Sequence, residues 1–248
     1  VPGEGMIVHP RGVTAIDDTL AMGCWTPTAS FAIGAQTGAD WRAELRVADG
    51  SEFILHREPD VALDVSWQHC GRHNVENALT AVAAAHHVGV PAQVAVEALE
   101  KFSGVKRRLE LLGEVAGVAV YDDFAHHPTA IATTLEGLRA RTCRGRLIAL
   151  VEPRSNTMRM GVHREKLAKA TERADRVYWF QPEGMEWSLD EVVDESPVPA
   201  ELVGEIDELV ERVAAEVQPG DQVVVMSNGG FAGVHHKLLA ALEQGAAS

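Results

Sequence analysis

The feature that most constrains the fold is the alternation of strand and helix patterns from about residue 108 to the end of the chain. The stretch GRLIALVEP, residues 145–153, is almost continuously apolar, as expected for a strand buried on both faces of a parallel sheet. Residues 206–217, IDELVERVAAEV, place their apolar side chains on one helical face. This alternation predicts an α/β fold with a doubly wound, mostly parallel sheet.

Three of the predicted strands run into polar or glycine-rich segments, which are residues 122–127, 152–160 and 227–233. In doubly wound sheets, ligands bind at the carboxyl ends of the strands. We therefore expect one crevice that is lined by these three segments.

The first hundred residues read as the end of another α/β unit. Asp49-Gly50 is a strong hairpin signal between two strand patterns. A helix is expected between Gly71 and Gly89, and a second one with Pro91 at its first position. The basic VKRR stretch after Gly104 marks a break, so we expect one domain over residues 1–106 and another over residues 107–248.

Composition excludes several classes of function. The 248 residues carry a formal net charge of -14, which argues against a nucleic-acid or anionic-membrane partner. Small anionic substrates stay compatible with that charge where arginines cluster. No apolar run approaches the length of a membrane span. The three cysteines are far apart and form no CxxC pair, which favours a reducing, cytoplasmic location.

Two pairs of side chains near the predicted boundary allow two interpretations each. Asn74 and Asn77 share one helical face, and a carboxamide offers the donor and acceptor that an adenine edge requires. The alternative is a helix cap and a solvated surface residue. Arg107 and Arg108 can clamp a phosphoryl group, or they can be a basic surface pair.

The stretch YDDFAHHP contains two adjacent carboxylates and two adjacent histidines. Asp122 and Asp123 diverge on a strand end, which disfavours a shared-proton pair, whereas one of them can accept hydrogen bonds from ribose hydroxyls. His126 and His127 lack a nearby cysteine or glutamate at ligand spacing, so we expect no metal site here.

Two further segments carry groups suited to anions. Arg154, Ser155, Asn156 and Thr157 form a dense carboxylate-binding set, to which Arg159 adds a second cation, although a capped loop is the simpler alternative. The segment SNGGFAG, residues 227–233, offers backbone N–H groups to an anion. No GxxxxGK[ST] phosphate loop occurs in the sequence. If the protein uses ATP, the phosphate cradle is therefore expected outside this chain.

Four segments, in order along the chain, resemble segments of the Mur ligase family. Its members are ATP-dependent, amide-forming enzymes of cell-wall precursor synthesis. The segments are GRHNVENALTAVAAA, FSGVKRRLE, YDDFAHHPTAI and LVEPRSNTM. Within the family, EPRSNTM and the ending VMSNGGFAGVHHKLL are most similar to the branch that recycles murein peptides. The resemblance covers essentially the whole chain.

The resemblance implies a domain assignment and roles for particular residues. Residues 1–106 would be the C-terminal part of the central ATP-binding domain, and residues 107–248 the Rossmann-like, substrate-binding C-terminal domain. The resemblance assigns Asn74 and Asn77 to the adenine, Arg108 to the γ-phosphate as the catalytic cation, and Asp123 to the ribose. It assigns these residues to the peptide side: His126, His127, Arg154, Ser155, Asn156 and Asn228.

The resemblance also implies an activity and its partners. ATP and Mg²⁺ would drive the joining of UDP-N-acetylmuramate to L-alanyl-γ-D-glutamyl-meso-diaminopimelate through an acyl phosphate. The Mg²⁺ ligands and the N-terminal domains are expected outside this chain, which is therefore expected to be inactive alone. Two alternatives stay open: a UDP-N-acetylmuramate–L-alanine ligase, and a non-catalytic binding module with the same fold.

Overall fold

The computed structural model consists of two compact units, Val1–Ser103 and Gly104–Ser248. It describes residues 1–34, 38–57, 59, 61–141, 145–181, 184–185 and 187–246. Of the three cysteines, Cys143 lies outside the described residues. Among the described helices, none combines the length and the apolarity needed to cross a lipid bilayer.

The first unit is built on a five-stranded sheet in the order β1-β2-β3-β4-β5. Its elements are β1 (Ile7–Pro10), α1 (Thr14–Ala21), β2 (Thr28–Ile33), β3 (Trp41–Leu45), β4 (Glu52–Arg57), β5 (Val61–Ser66), α2 (Arg72–His87) and α3 (Ala92–Glu100). The pairs β1–β2 and β2–β3 are parallel, whereas β3–β4 and β4–β5 are antiparallel. The hairpin predicted at Asp49-Gly50 is confirmed as the β3–β4 connection.

Helix α2 supplies much of the core of the first unit. Its buried side chains, including Val75, Leu79 and Val82, pack in one cluster with Trp41 and Phe53 from the sheet. The helix ends at His87, and Gly89 follows with a φ of 94°, a left-handed conformation that favours glycine. The predicted helix and its glycine stop are therefore confirmed.

The second unit contains a six-stranded sheet in the order β10-β9-β8-β11-β7-β6. Its elements are β6 (Glu110–Val115), β7 (Val118–Asp123), α4 (Pro128–Arg141), β8 (Leu147–Glu152), α5 (Asn156–Arg159), α6 (Arg164–Ala170), β9 (Arg176–Phe180), α7 (Asp190–Asp194), β10 (Ala200–Val203), α8 (Ile206–Glu216), β11 (Gln222–Ser227), a 3₁₀ turn (Phe231–Gly233) and α9 (Val234–Ala246). All pairs are parallel except β6–β7, which is antiparallel.

Helices cover both faces of this sheet, as the alternation predicted. On one face, side chains such as Ile131, Leu135 and Leu167 from α4 and α6 join one buried cluster. On the other, Leu209 of α8 and Leu238 of α9 join a second cluster. Strands β7, β8 and β11 lie between these two clusters and are almost entirely buried, which explains their continuous apolar sequence.

Several elements differ from the sequence predictions. Pro91 precedes α3 as its cap residue and is not its first helical position. Strands β2, β6 and β10 were not predicted. Of these, β6 has a partly exposed pattern, and its antiparallel pairing with β7 comes from a tight turn at Ala116-Gly117.

The second unit brings three strand ends side by side. Strand β11 pairs with both β7 and β8, so Ser227 is opposite Glu152 and Met226 is opposite Asp123. The loops after these three strands therefore start at one edge of the sheet. The sequence predicted this edge as the location of the site.

At the opposite end of β8, Arg146 anchors a buried carboxylate. Its Nη2 donates to Oδ2 of Asp221 over 2.7 Å, and its Nη1 donates to Oε1 of Glu216 over 3.0 Å. Asp221 is buried and also accepts backbone N–H groups from Arg146 and Gln218. Burial alone would raise the pKa of Asp221, but the bonds from Arg146 and the two backbone groups lower it below its ordinary value.

We expect Arg146→Ala to lower the free energy of unfolding by about 2–3 kcal/mol at pH 7, because it leaves a buried carboxylate without its cation. A lowered pKa makes this contribution complete above the ordinary pKa of an aspartate and removes it as the pH falls through the lowered value. Urea unfolding at pH 7 and pH 3 measures both effects. The deficit of the variant should shrink at pH 3, and the exposed Arg173→Ala should show none at either pH.

Candidate functional site

The loops after β8 and β11 line an open polar cavity of about 630 Å³. Its lining includes four residues that the sequence assigned to the substrate: Arg154, Ser155, Asn156 and Asn228. Arg159, Gly229 and Gly230 complete it. Ser155 caps the short helix α5, so Arg154 lies just before this turn and Arg159 at its end, and both line the cavity. The structure therefore brings these predicted residues together.

The cavity presents two cations that the described residues leave without an acidic partner. No ion pair or hydrogen bond of the described chain engages the guanidinium of Arg154 or of Arg159, and the Nε of Arg159 is buried without an acceptor. The Oδ1 of Asn228 is likewise buried without a donor. A ligand with a carboxylate and an N–H donor would satisfy all three groups.

Gly229 lies against the side chain of Arg154. A Cβ atom at residue 229 would lie 2.5 Å from Nη1 and 2.8 Å from Cδ of Arg154, so a larger residue would force Arg154 to shift. The backbone N–H of Gly229 donates to the hydroxyl of Ser227, which in turn donates to the buried carboxylate of Glu152. These bonds fix the glycine-rich loop to the end of β8.

Arg107 fastens the segment before β6 to the same edge of the sheet. Its Nη2 donates to the carbonyl oxygens of Ser227, over 2.7 Å, and of Gly229, over 2.5 Å. Its Nε lies 3.3 Å from Oδ2 of Asp122, a buried carboxylate. The backbone of Arg107 has a φ of 60°, which is unusual for a residue with a side chain and is held here by these contacts.

Arg108, the adjacent residue, is free by comparison. It is exposed, and its guanidinium lies 5.6 Å from the ring centroid of Phe124. The guanidinium of Arg107 lies 5.1 Å from the same centroid. No carboxylate of the described chain pairs with Arg108. The side chain is therefore held near the end of β7 by an aromatic contact that leaves its charge available.

Asp123 already accepts three hydrogen bonds from its own unit. Its Oδ2 accepts the N–H of Leu109, and its Oδ1 accepts the N–H of Ala125 and the hydroxyl of Thr134. Burial raises the pKa of Asp123, and these three donors and the charge of Arg108 offset part of that rise. The carboxylate thus shapes the turn after β7, and its role at a ribose stays a prediction.

His126 and His127 follow this turn with different partners. The Nδ1 of His126 lies 2.9 Å from the carbonyl oxygen of Phe124. The Nδ1 of His127 accepts the N–H of Thr129 at the start of α4, and its Nε2 lies 3.2 Å from Nε2 of His163. Burial, and the nearby His163, His126 and Lys166, lower the pKa of His127. Their assignment to the peptide side stays a prediction.

Asn74 and Asn77 lie in the first turns of α2, in the other unit. The Nδ2 of Asn74 donates to the carbonyl oxygen of Cys70 over 2.7 Å, which is a local role of the kind that the simpler interpretation predicts. The side chain of Asn77 is exposed. The adenine assignment of both residues stays a prediction.

Sequence reasoning missed one contributor to the site and the structural role of another. His163 contacts His127 across 36 positions of the chain, and no local pattern predicts such a pair. Arg107, rather than Arg108, makes the fastening contacts to the glycine-rich loop, and only its positive φ and its hydrogen bonds identify it. In the described residues, no group of three or more histidine, cysteine, aspartate and glutamate side chains could hold a metal ion.

The same part of the chain matches a known family. Residues 107–229 match the family model described as the Mur ligase, glutamate ligase domain. The chain belongs to the Mur ligase family. The matched residues begin at Arg107 and end at Gly229. The Mur ligase domain therefore contains Arg107, the contacting histidines His127 and His163, and both cavity arginines.

Individual Mur ligases agree with this assignment. The chain is 45% identical over 96% of its length to a UDP-N-acetylmuramate–L-alanyl-γ-D-glutamyl-meso-2,6-diaminoheptandioate ligase of Escherichia coli and covers 52% of that protein. A murein peptide ligase of Psychrobacter arcticus, whose crystal structure is known, is 42% identical to this chain, with a TM-score of 0.75. The match covers 98% of this chain and 52% of that one.

A second group of relatives is less similar. A UDP-N-acetylmuramate–L-alanine ligase of Thermobifida fusca is 34% identical over 84% of this chain, which covers 48% of that protein. The chain thus spans about half the length of the relatives it matches.

Proposed function

We propose that this chain is the C-terminal part of an ATP-dependent ligase that joins UDP-N-acetylmuramate to L-alanyl-γ-D-glutamyl-meso-diaminopimelate in cell-wall peptide recycling. The observation that carries the proposal is the polar cavity with two guanidinium groups, Arg154 and Arg159, that have no acidic partner in the described chain. The peptide has several carboxylates, and arginine binds a carboxylate through two parallel hydrogen bonds. The names of the relatives with 42–45% identity support the same substrate.

The peptide side of the proposed site is the cavity. Arg154 and Arg159 hold carboxylates, and the Oδ1 of Asn228 accepts an N–H of the peptide. Ser155 and Asn156 add polar groups at the rim. His126 and His127 belong to the neighbouring loop between β7 and α4. Such contacts fix the peptide so that its amine approaches the activated carboxyl group, and correct positioning is a large part of catalysis in a two-substrate ligation.

For the nucleotide, we propose roles for residues of each unit, taken within its own unit. Asn77 is exposed and offers its carboxamide to the adenine edge, while Asn74 keeps its Oδ1 and its second Nδ2–H beyond the bond to the carbonyl oxygen of Cys70. Asp123 accepts ribose hydroxyls with the lone pairs that its three donors leave. Arg108 stabilises negative charge on the transferring phosphoryl group. When bound, ATP supplies the phosphoryl group that activates the carboxylate of UDP-N-acetylmuramate.

A Mg²⁺ ion is part of the proposal only for the complete ligase. The described residues of this chain offer no cluster of carboxylates that fits the ion. No residue here is therefore assigned to it. The N-terminal domains, which we propose as the remaining partners in the same cytoplasmic protein, would provide the phosphate loop and the metal ligands.

A ligation assay with the full-length protein tests the proposal. With UDP-N-acetylmuramate and ATP, we expect phosphate release with the tripeptide and none above background with L-alanine. Alanine offers one carboxylate and no second anionic group for the pair of arginines. Turnover with L-alanine instead would favour the L-alanine ligase. Binding of the peptide without turnover of either substrate would favour the non-catalytic binding module.

A further inference from the structure

The structure contains a contact between two loops that the proposed roles do not use. His127 belongs to the loop between β7 and α4, and His163 to the segment between α5 and α6. Their Nε2 atoms are 3.2 Å apart, and their ring centroids are 4.3 Å apart with the planes at 69°. The contact thus joins the histidine loop to the segment that continues from the cavity arginines.

Hydrogen bonding around His127 defines its protonation state. The backbone N–H of Thr129 donates to its Nδ1 over 3.4 Å, so that Nδ1 carries no proton. A neutral imidazole then has its proton on Nε2, from which it donates to Nε2 of His163. A second proton on His127 would break the bond from Thr129, and it would face His126, His163 and Lys166 without a carboxylate among the groups that act on it.

The other end of the same segment is held independently. The indole Nε1 of Trp187 donates to the carbonyl oxygen of Met158 over 2.8 Å, and the ring of Trp187 packs on Gly161. Residues 156–162 are closed by their own backbone hydrogen bonds. Residues 158–163 therefore connect two fixed points, which are Trp187 and the histidine pair. Arg159, whose Nε is buried without an acceptor, lies between them.

We propose that His163 is a positioning residue for the peptide side of the site, because it accepts a hydrogen bond from Nε2–H of His127 and so fixes the segment that carries Arg159. The inference rests on the proposed function. It predicts that loss of His163 weakens use of the peptide while use of ATP is unchanged.

The first arm of the test measures the pair itself in this chain, without any substrate. Nitrogen-15 NMR of the imidazoles should find His127 neutral and protonated at Nε2 in the wild type. In His163→Ala, we expect the pKa of His127 to rise towards its ordinary value, because the neighbouring imidazole and part of the burial that lower it are lost. In His163→Gln, the side-chain oxygen can accept the same hydrogen bond, so His127 should stay protonated at Nε2.

The second arm measures steady-state kinetics of the full-length protein. We expect His163→Ala to raise the KM for the tripeptide about 3- to 10-fold, the effect of one net hydrogen bond, with the KM for ATP unchanged. His163→Gln should restore most of the loss. The matched control is Val162→Ala, which truncates an exposed side chain of the same segment and should change neither constant.

The outcomes separate the inference from the function on which it rests. A wild type that does not ligate the tripeptide overturns the proposed function and, with it, the role of His163 on the peptide side, whatever the titration shows. An unchanged titration of His127 in His163→Ala overturns the inference. So does an altered titration together with equal losses for peptide and ATP, since that pattern indicates general loss of structure.

Discussion

Replacement of Arg108 by alanine in the full-length ligase is expected to lower kcat about 100-fold or more, with little change in stability. Arg108 is exposed, stacks on Phe124 and has no carboxylate partner in the described chain. Its removal costs the folded protein little, since exposed side chains outside any network rarely contribute more than about 0.5 kcal/mol. In the reaction it is the proposed cation for the transferring phosphoryl group, and one such electrostatic contact is typically worth 10²- to 10³-fold in rate.

The neighbouring arginine provides the contrast. Arg107→Ala removes two hydrogen bonds to backbone carbonyl groups and the partner of the buried Asp122. We expect a loss of about 2–3 kcal/mol in the free energy of unfolding, less than for a fully buried pair because Arg107 is partly exposed. Urea unfolding and kcat measured on both variants separate the two roles. Equal stability losses in the two variants would contradict the assignment of Arg108 as the free cation.

Replacement of Arg154 by alanine is expected to raise the KM for the tripeptide about 10- to 100-fold and to leave the KM for ATP unchanged. The guanidinium is exposed at the cavity, lies on Gly229 and has no other partner in the described chain. A hydrogen bond to a charged group is worth about 1.5–3 kcal/mol, which corresponds to this range. Arg154→Lys keeps the charge but not the planar pair of donors, so it should recover only part of the loss.

Arg173→Ala is the matched control for this prediction, because Arg173 is also exposed but lies outside the cavity. The thermal unfolding midpoints of the wild type, Arg154→Ala and Arg173→Ala should agree within a few degrees. If Arg154→Ala weakened ATP and peptide use equally, Arg154 would have a structural role or a role at the nucleotide, and the assignment of the cavity to the peptide would be wrong.

The sequence was sufficient for the parts of the fold that depend on burial. Strand β8 is buried at every position, so its apolar run identified it directly, and the glycine after α2 marked a real helix end. The carboxyl ends of β7, β8 and β11 could be placed at one edge because parallel strands share a direction. The residues of the cavity followed, since they come directly after two of these strands.

Other features depend on distances that no local pattern encodes. Strand β6 is partly exposed and pairs antiparallel to β7, so neither its period nor its direction was evident. The contact between His127 and His163 and the bonds from Arg107 to the loop at Ser227 join residues 36 and 120 positions apart. The sequence indicated which residue types can do the chemistry. Which of two adjacent arginines is fastened and which is free depends on the tertiary structure.

The absent side chain at residue 229 affects where the cation of the cavity lies. A Cβ atom there would overlap Nη1 and Cδ of Arg154, so the arginine would have to shift. A substitution at residue 229 would therefore move the guanidinium without removing it. In a laboratory evolution experiment, this position could alter where the charge meets a ligand while both arginines are retained.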